Sequence, residues 1–107
     1  MHKNNNEAKG NFVIYVLRLF GNIFKIGKAD NDRRTISTDL PVRMHAQVRS
    51  LAETFGKINV SFDFLELLKG ITTKEAKKRE ETHLNNFFEQ TGNIPSGNVK
   101  SFKRKKK

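Results

Sequence analysis

The chain has 107 residues, no cysteine, and 21 lysines and arginines against 11 aspartates and glutamates, a formal net charge of +10. That length holds one domain with one modest core, and the missing thiols exclude disulfide frameworks, cysteine zinc sites and thiol nucleophiles, so any metal takes oxygen or histidine ligands. No apolar run approaches the roughly 18 residues of a membrane span and the polar start has no signal-peptide core, so the sequence reads as soluble and intracellular, cytoplasmic or, in a eukaryotic host, nuclear.

The first elements are two strands. Phe12 to Phe20 is a nearly continuous apolar run rich in β-formers, as expected of a strand covered on both faces. Gly21 and Asn22 punctuate it, and Asn22 to Lys28 reads as the returning strand of a hairpin. A three-residue loop, Phe20 to Asn22, would set Leu17 opposite Lys25 and Tyr15 opposite Gly27, with Tyr15 and Lys25 diagonal neighbours on one face. A two-residue loop would send Lys25 to the other face.

The polar stretch Ala29 to Thr38 reads as a loop. A helix then follows, with Thr38 or Asp39 as cap, Pro41 in the first turn, an apolar stripe of Met44, Val48, Leu51 and Phe55, and Gly56 as its end. Ile58, Val60, Phe62 and Phe64 alternate with polar residues, the period of a half-buried strand. Thr72 and Glu75 form a capping box that opens the last helix. The expected fold is α+β, a small three-stranded antiparallel sheet flanked by helices in the order β-β-α-β-α, over residues 12–90. A disordered head, 1–11, and a basic, largely irregular tail, 91–107, are expected to flank it.

Within the last helix the stripe Ala76, His83, Leu84, Phe87 and Phe88 is interrupted by Glu80. A carboxylate on a buried face is costly unless a cation meets it. Glu81 lies about 100° round the helix from Glu80, and Glu75 is accounted for by the capping box, so periodicity singles out Glu80. His83, beside it, reads as a core histidine.

Val13-Ile14-Tyr15 and Lys25-Ile26-Gly27 resemble the paired strands that name the GIY-YIG nuclease superfamily. Gly27-Lys28-Ala29 matches a continuation seen in its repair members. Asp39-Leu40-Pro41-Val42-Arg43 is similar to the helix start carrying the family's arginine, and Glu75-Ala76 with Glu80 to the helix carrying its metal-binding glutamate. The likeness covers about Phe12 to Phe88, and the Lys-Ile-Gly variant is most similar to the DNA-binding branch found in phages and large DNA viruses. Val13 stands in place of the first family glycine and Lys25 in place of the second motif tyrosine. Gln47 stands where homing relatives often have histidine, and Asn93 and Asn98 are both candidates for the family's late asparagine.

The resemblance implies a metal-dependent endonuclease that hydrolyses DNA phosphodiester bonds with one magnesium or manganese ion. Glu80 would hold the metal. Tyr15 would act as general base, its phenol lowered from about 10 by positive charge such as Lys25. Lys25 would also contact the phosphate or orient the water, Arg43 would stabilise the phosphate in the transition state, and Gly27 would keep bulk away from its path. Arg33 and Arg34 compete with Arg43 for the phosphate; helix placement favours Arg43. Lys28, Arg33, Arg34, Lys103, Arg104 and Lys105 are candidate nucleic-acid contacts. The alternative is a catalytically silent DNA-binding module on the same fold. Glu80 separates the two, because a carboxylate facing a phosphate repels it. No membrane partner is expected, and a homodimer is one open arrangement.

Overall fold

The computed structural model describes residues 8–99. Its elements are β1 (Lys9–Leu19), β2 (Asn22–Asp30), α1 (Val42–Phe55), β3 (Val60–Thr72) and α2 (Thr73–Thr91), with short 3₁₀ turns at Lys57–Asn59 and Ser96–Asn98. The protein is α+β, with one antiparallel sheet of order β2-β1-β3. Among the described residues no helix is long and apolar enough to cross a membrane.

The central strand explains the two-sided core. Val13, Tyr15 and Leu17 of β1 pack with Ala29 of β2 and Met44 of α1, while Ile14 and Val16 pack with Ile26 of β2 and Leu84 of α2. Alternate side chains of one strand point to opposite faces, so α1 and α2 cover opposite faces of the sheet. Tyr15, Ile14, Leu17 and Met44 are fully enclosed; burial of a large apolar side chain contributes roughly 1.5–3 kcal/mol.

The hairpin resolves the question of where Lys25 points. The turn has two residues, Phe20 (φ 52) and Gly21 (φ 83), both left-handed as a type I′ turn requires, with Leu19 paired to Asn22. That turn alone would put Lys25 on the face away from Tyr15. However, Arg18 pairs with Ile23 and Leu17 with Lys25, so Phe24 is an extra residue that restores the register. Tyr15 stands opposite Gly27 and Lys25 shares its face. Phe20 takes a conformation unfavourable for an aromatic residue, and it is held there by edge-to-face packing on Phe55 at 6.3 Å and by its N–H donating to Asn59 O at 2.8 Å.

Several boundaries move outward from those expected. β1 begins at Lys9, within the expected head, and β3 continues eight residues past Phe64 to Thr72, pairing Leu67 with Val13 and Thr72 with Lys9. Its register shifts opposite Ile14/Tyr15 and Gly10/Phe12, and Gly70 (φ 66) occupies the second irregularity. The start of α1 also differs. Pro41 is the N-cap and no side chain caps the helix; Asp39 is left-handed (φ 56) and Thr38 Oγ1 instead meets His45 Nδ1 at 3.0 Å. The capping box of α2 forms as expected: Glu75 N–H donates to Thr72 Oγ1 at 3.1 Å and Thr72 N–H to Glu75 Oε1 at 2.9 Å. Gly92 (φ 77) ends the helix.

β2 is an edge strand, and the chain beyond α2 covers part of it. Asn98 is 3 % exposed; its Oδ1 accepts from Ile26 N–H at 2.8 Å and its Nδ2 donates to Ile26 O at 2.9 Å. One amide thus occupies both edge groups of the residue between Lys25 and Gly27. A side chain at Gly97 would lie 3.0 Å from Lys25 Cβ and 2.8 Å from Phe24 Cε2, so the segment needs glycine there. Asn98→Ala is expected to cost about 2–3 kcal/mol, since an unpaired buried polar group costs about 1–3 kcal/mol. Urea unfolding reads this; a loss below about 0.5 kcal/mol would mean that water replaces the amide without penalty.

Candidate functional site

Four elements converge around the β2 edge. Tyr15 comes from β1, and Lys25, Gly27 and Lys28 come from β2. Lys25 and Gly27 lie on the α1 face, whereas Lys28, paired with Ile14, lies on the α2 face. Arg43 stands in the first turn of α1, and Glu80, half-buried, is in the middle of α2. The charges of Arg43 and Glu80 both act on the Tyr15 phenol, on Lys25 and on Lys28. Residues drawn from both layers of helix are therefore electrostatically one cluster.

Gly27 has a more specific task than leaving room for phosphate. A Cβ there would lie 2.6 Å from both Cζ and Oη of Tyr15, so the bare backbone is what seats the phenol. The Tyr15 hydroxyl donates to Gln47 Oε1 at 2.5 Å, and Tyr15 is 0 % exposed. Gln47 lies one turn beyond Arg43 on the same helix. Its contact was not readable from the sequence, where Gln47 registered only as a departure from histidine.

The expected depression of the phenol is corrected by the structure. Burial pushes Tyr15 up to about 12; Arg43 pulls it down and Glu80 pushes it further up. Desolvation of the phenolate outweighs the cation, so at neutral pH the hydroxyl is protonated and acts as a donor. Lys25 moves the other way. Burial lowers its pKa from the ordinary lysine value, Arg43 lowers it further, and Glu80 opposes both. Lys28 is lowered by burial and held up chiefly by Glu80.

Tyr15 is the sole tyrosine and the chain has no tryptophan, so tyrosinate absorbance titrates this one group. A midpoint near 12 is expected. The sign follows from linkage: the folded state holds the proton to higher pH than the unfolded chain, so this contribution is whole below about pH 10 and is lost as pH rises toward 12, at most about 3 kcal/mol. A midpoint at or below 10 would contradict the enclosed phenol.

The arginines separate by geometry. Arg34 is committed to the 31–39 loop: its guanidinium donates to Asn31 O at 3.2 Å, to Asn31 Oδ1 at 2.5 Å and to Asp39 O. Arg33 instead lines a cleft with Lys28 and Arg43. Asn93 is absorbed locally by Thr91 at the end of α2, leaving Asn98 as the asparagine that touches β2. His83 faces β3, its Nε2 3.0 Å from Glu66 Oε1, which also accepts from Arg79 Nε at 3.1 Å. Lys103, Arg104 and Lys105 lie outside the described residues.

A metal would find one suitable carboxylate in the cluster. Among the described residues no group of three histidine, aspartate or glutamate side chains is arranged to hold an ion. That donor set does not fit zinc, which needs three or four protein ligands. It fits a hard ion that keeps most of its water shell and takes one protein carboxylate together with a phosphate oxygen, as magnesium does.

Comparison with protein-family models, curated proteins and solved structures finds no match.

Proposed function

We propose that the protein is a metal-dependent endonuclease of the GIY-YIG type, acting on DNA at the cluster of Tyr15, Lys25, Arg43 and Glu80. The observation that carries the reading is the joint action of Arg43 and Glu80, from helices on opposite faces of the sheet, on Tyr15, Lys25 and Lys28. A carboxylate amid cations suits a site that binds phosphate through a divalent ion.

The division of labour follows from protonation. Arg43 presents a planar fork to the non-bridging oxygens and stabilises the charge that develops there. Lys25 acts in its neutral form, which burial and Arg43 favour: it orients the attacking water and takes its proton. The water oxygen bonds to phosphorus, the bridging P–O bond breaks, and the leaving oxygen is protonated from solvent. Tyr15 acts through Gln47, whose amide oxygen accepts the phenolic hydrogen at 2.5 Å; it is a positioning residue in this scheme. Glu80 holds the ion, which when bound neutralises charge on the phosphate.

The enclosure of Tyr15 favours a second reading, a DNA-binding module without catalysis. Incubating plasmid and single-stranded DNA with the protein in magnesium or manganese, with and without chelator, separates the two. Metal-dependent cleavage supports the endonuclease. Binding without cleavage in either metal supports the silent module.

A further inference from the structure

A cleft of about 260 Å³ opens where β2 ends and α1 begins, on the side of the cluster away from Asn98, and its walls include Phe12, Lys28, Asp30, Arg33, Val42 and Arg43. Three cations there suit phosphate. Two other groups do not: Asp30 repels an anion, and Phe12 offers a ring with Lys28 Nζ above it at 5.7 Å from its centroid. Together they suit a ligand with an uncharged, flat, hydrogen-bonding part as well as a phosphate.

We propose that this cleft binds a single unstacked nucleotide of the nucleic-acid strand, next to the phosphodiester held by Arg43. Its phosphate lies among Lys28, Arg33 and Arg43, and its base lies against Phe12 beside the Lys28 ammonium. Asp30 accepts from an exocyclic amino group of the base, which cytosine, adenine and guanine carry and thymine lacks. Asp30 Oδ1 is already fixed by the Asp32 N–H at 2.9 Å, which orients the carboxylate. The substrate class that follows is DNA with an unpaired nucleotide at the cut, a single strand or a branch, rather than an unbroken duplex.

The placement beside the scissile phosphate rests on the endonuclease reading, but the test does not. The full chain, without metal, is titrated with dCMP, dAMP, dGMP, dTMP and inorganic phosphate while backbone amide resonances are followed. Shifts are expected at residues 28–33 and 42–43, with dTMP and inorganic phosphate binding at least fivefold more weakly than the other three. Phe12→Ala is expected to weaken the three by about fivefold or more, the lower end of base–aromatic stacking. Asp30→Asn, on an exposed residue, is expected to remove the discrimination against dTMP while the protein stays folded. Inorganic phosphate binding as tightly as dCMP, or an unchanged preference in Asp30→Asn, would overturn the proposal. Nucleotide binding by a protein that cuts no DNA would keep the cleft and defeat the endonuclease; cleavage without nucleotide selectivity would do the reverse.

Discussion

On the endonuclease reading, replacing Lys25 by methionine is expected to lower the rate of DNA cleavage by roughly 10²–10⁴, the range contributed by a positioned general base, and arginine at this position is expected not to restore it. The effect originates in the hairpin. The extra residue Phe24 turns Lys25 onto the Tyr15 face, where burial and Arg43 both disfavour its charge. An ammonium with a lowered pKa releases a proton more readily than free lysine, whereas a guanidinium keeps its charge at any working pH. If Lys25 served only to attract phosphate, arginine would serve as well. Cleavage by the wild type should rise with pH along a limb centred below the ordinary lysine value of 10.5 and then level, because the base is active when neutral. Arginine restoring the wild-type rate, or a flat profile, would remove Lys25 from the proton-accepting role. Methionine keeps the stem's packing, so unfolding midpoints should stay close and separate a chemical loss from a structural one.

Of the chain's glycines, Gly27 is the one where an added Cβ would meet its closest neighbour, and Gly27→Ala is expected to be strongly destabilising. The added carbon would lie 2.6 Å from Tyr15 Cζ and Oη, and the ring is enclosed and bonded to Gln47, so it has little room to yield. Overpacking of this kind costs about 1–3 kcal/mol, and a displaced phenol loses its acceptor as well. Two readouts check it together: urea unfolding for the stability, and tyrosinate absorbance for the phenol, which should titrate closer to 10 once it is pushed toward solvent. Wild-type stability with an unmoved titration would show that the backbone of β2 gives way instead, and that glycine here is not needed to seat Tyr15.

The sequence was most legible where one residue decides one local structure. Thr72 and Glu75 specify their capping box, and the unbroken apolar run from Val13 to Leu17 specifies a strand buried on both sides; both form as expected. Legibility failed where two irregularities combine. The short turn at Phe20 and Gly21 and the extra Phe24 have opposite effects on register, and neither Phe carries a turn or bulge signal. The far half of β3 was hidden similarly, because the shift opposite Ile14/Tyr15 breaks the period-two pattern after Phe64 and Gly70 resembles a terminus. At the site, the family resemblance named the candidate groups but not their protonation. Whether Tyr15 is raised or lowered depends on burial weighed against Arg43, a balance that only the packing fixes. Asn98 gave little signal of its own, since its role rests on reaching Ile26 across most of the chain.

Glu80 is proposed to join Arg43 in a phosphodiesterase site, and Glu80→Gln isolates its charge. Glutamine keeps the size and hydrogen-bonding reach of the side chain while removing the charge that a divalent ion requires. Supercoiled plasmid is incubated with wild type and variant in magnesium at matched DNA occupancy. Nicking by the wild type and none by Glu80→Gln is expected, with DNA binding by the variant retained or tightened as a negative charge facing phosphate is lost. Nicking by Glu80→Gln at the wild-type rate would contradict the claim.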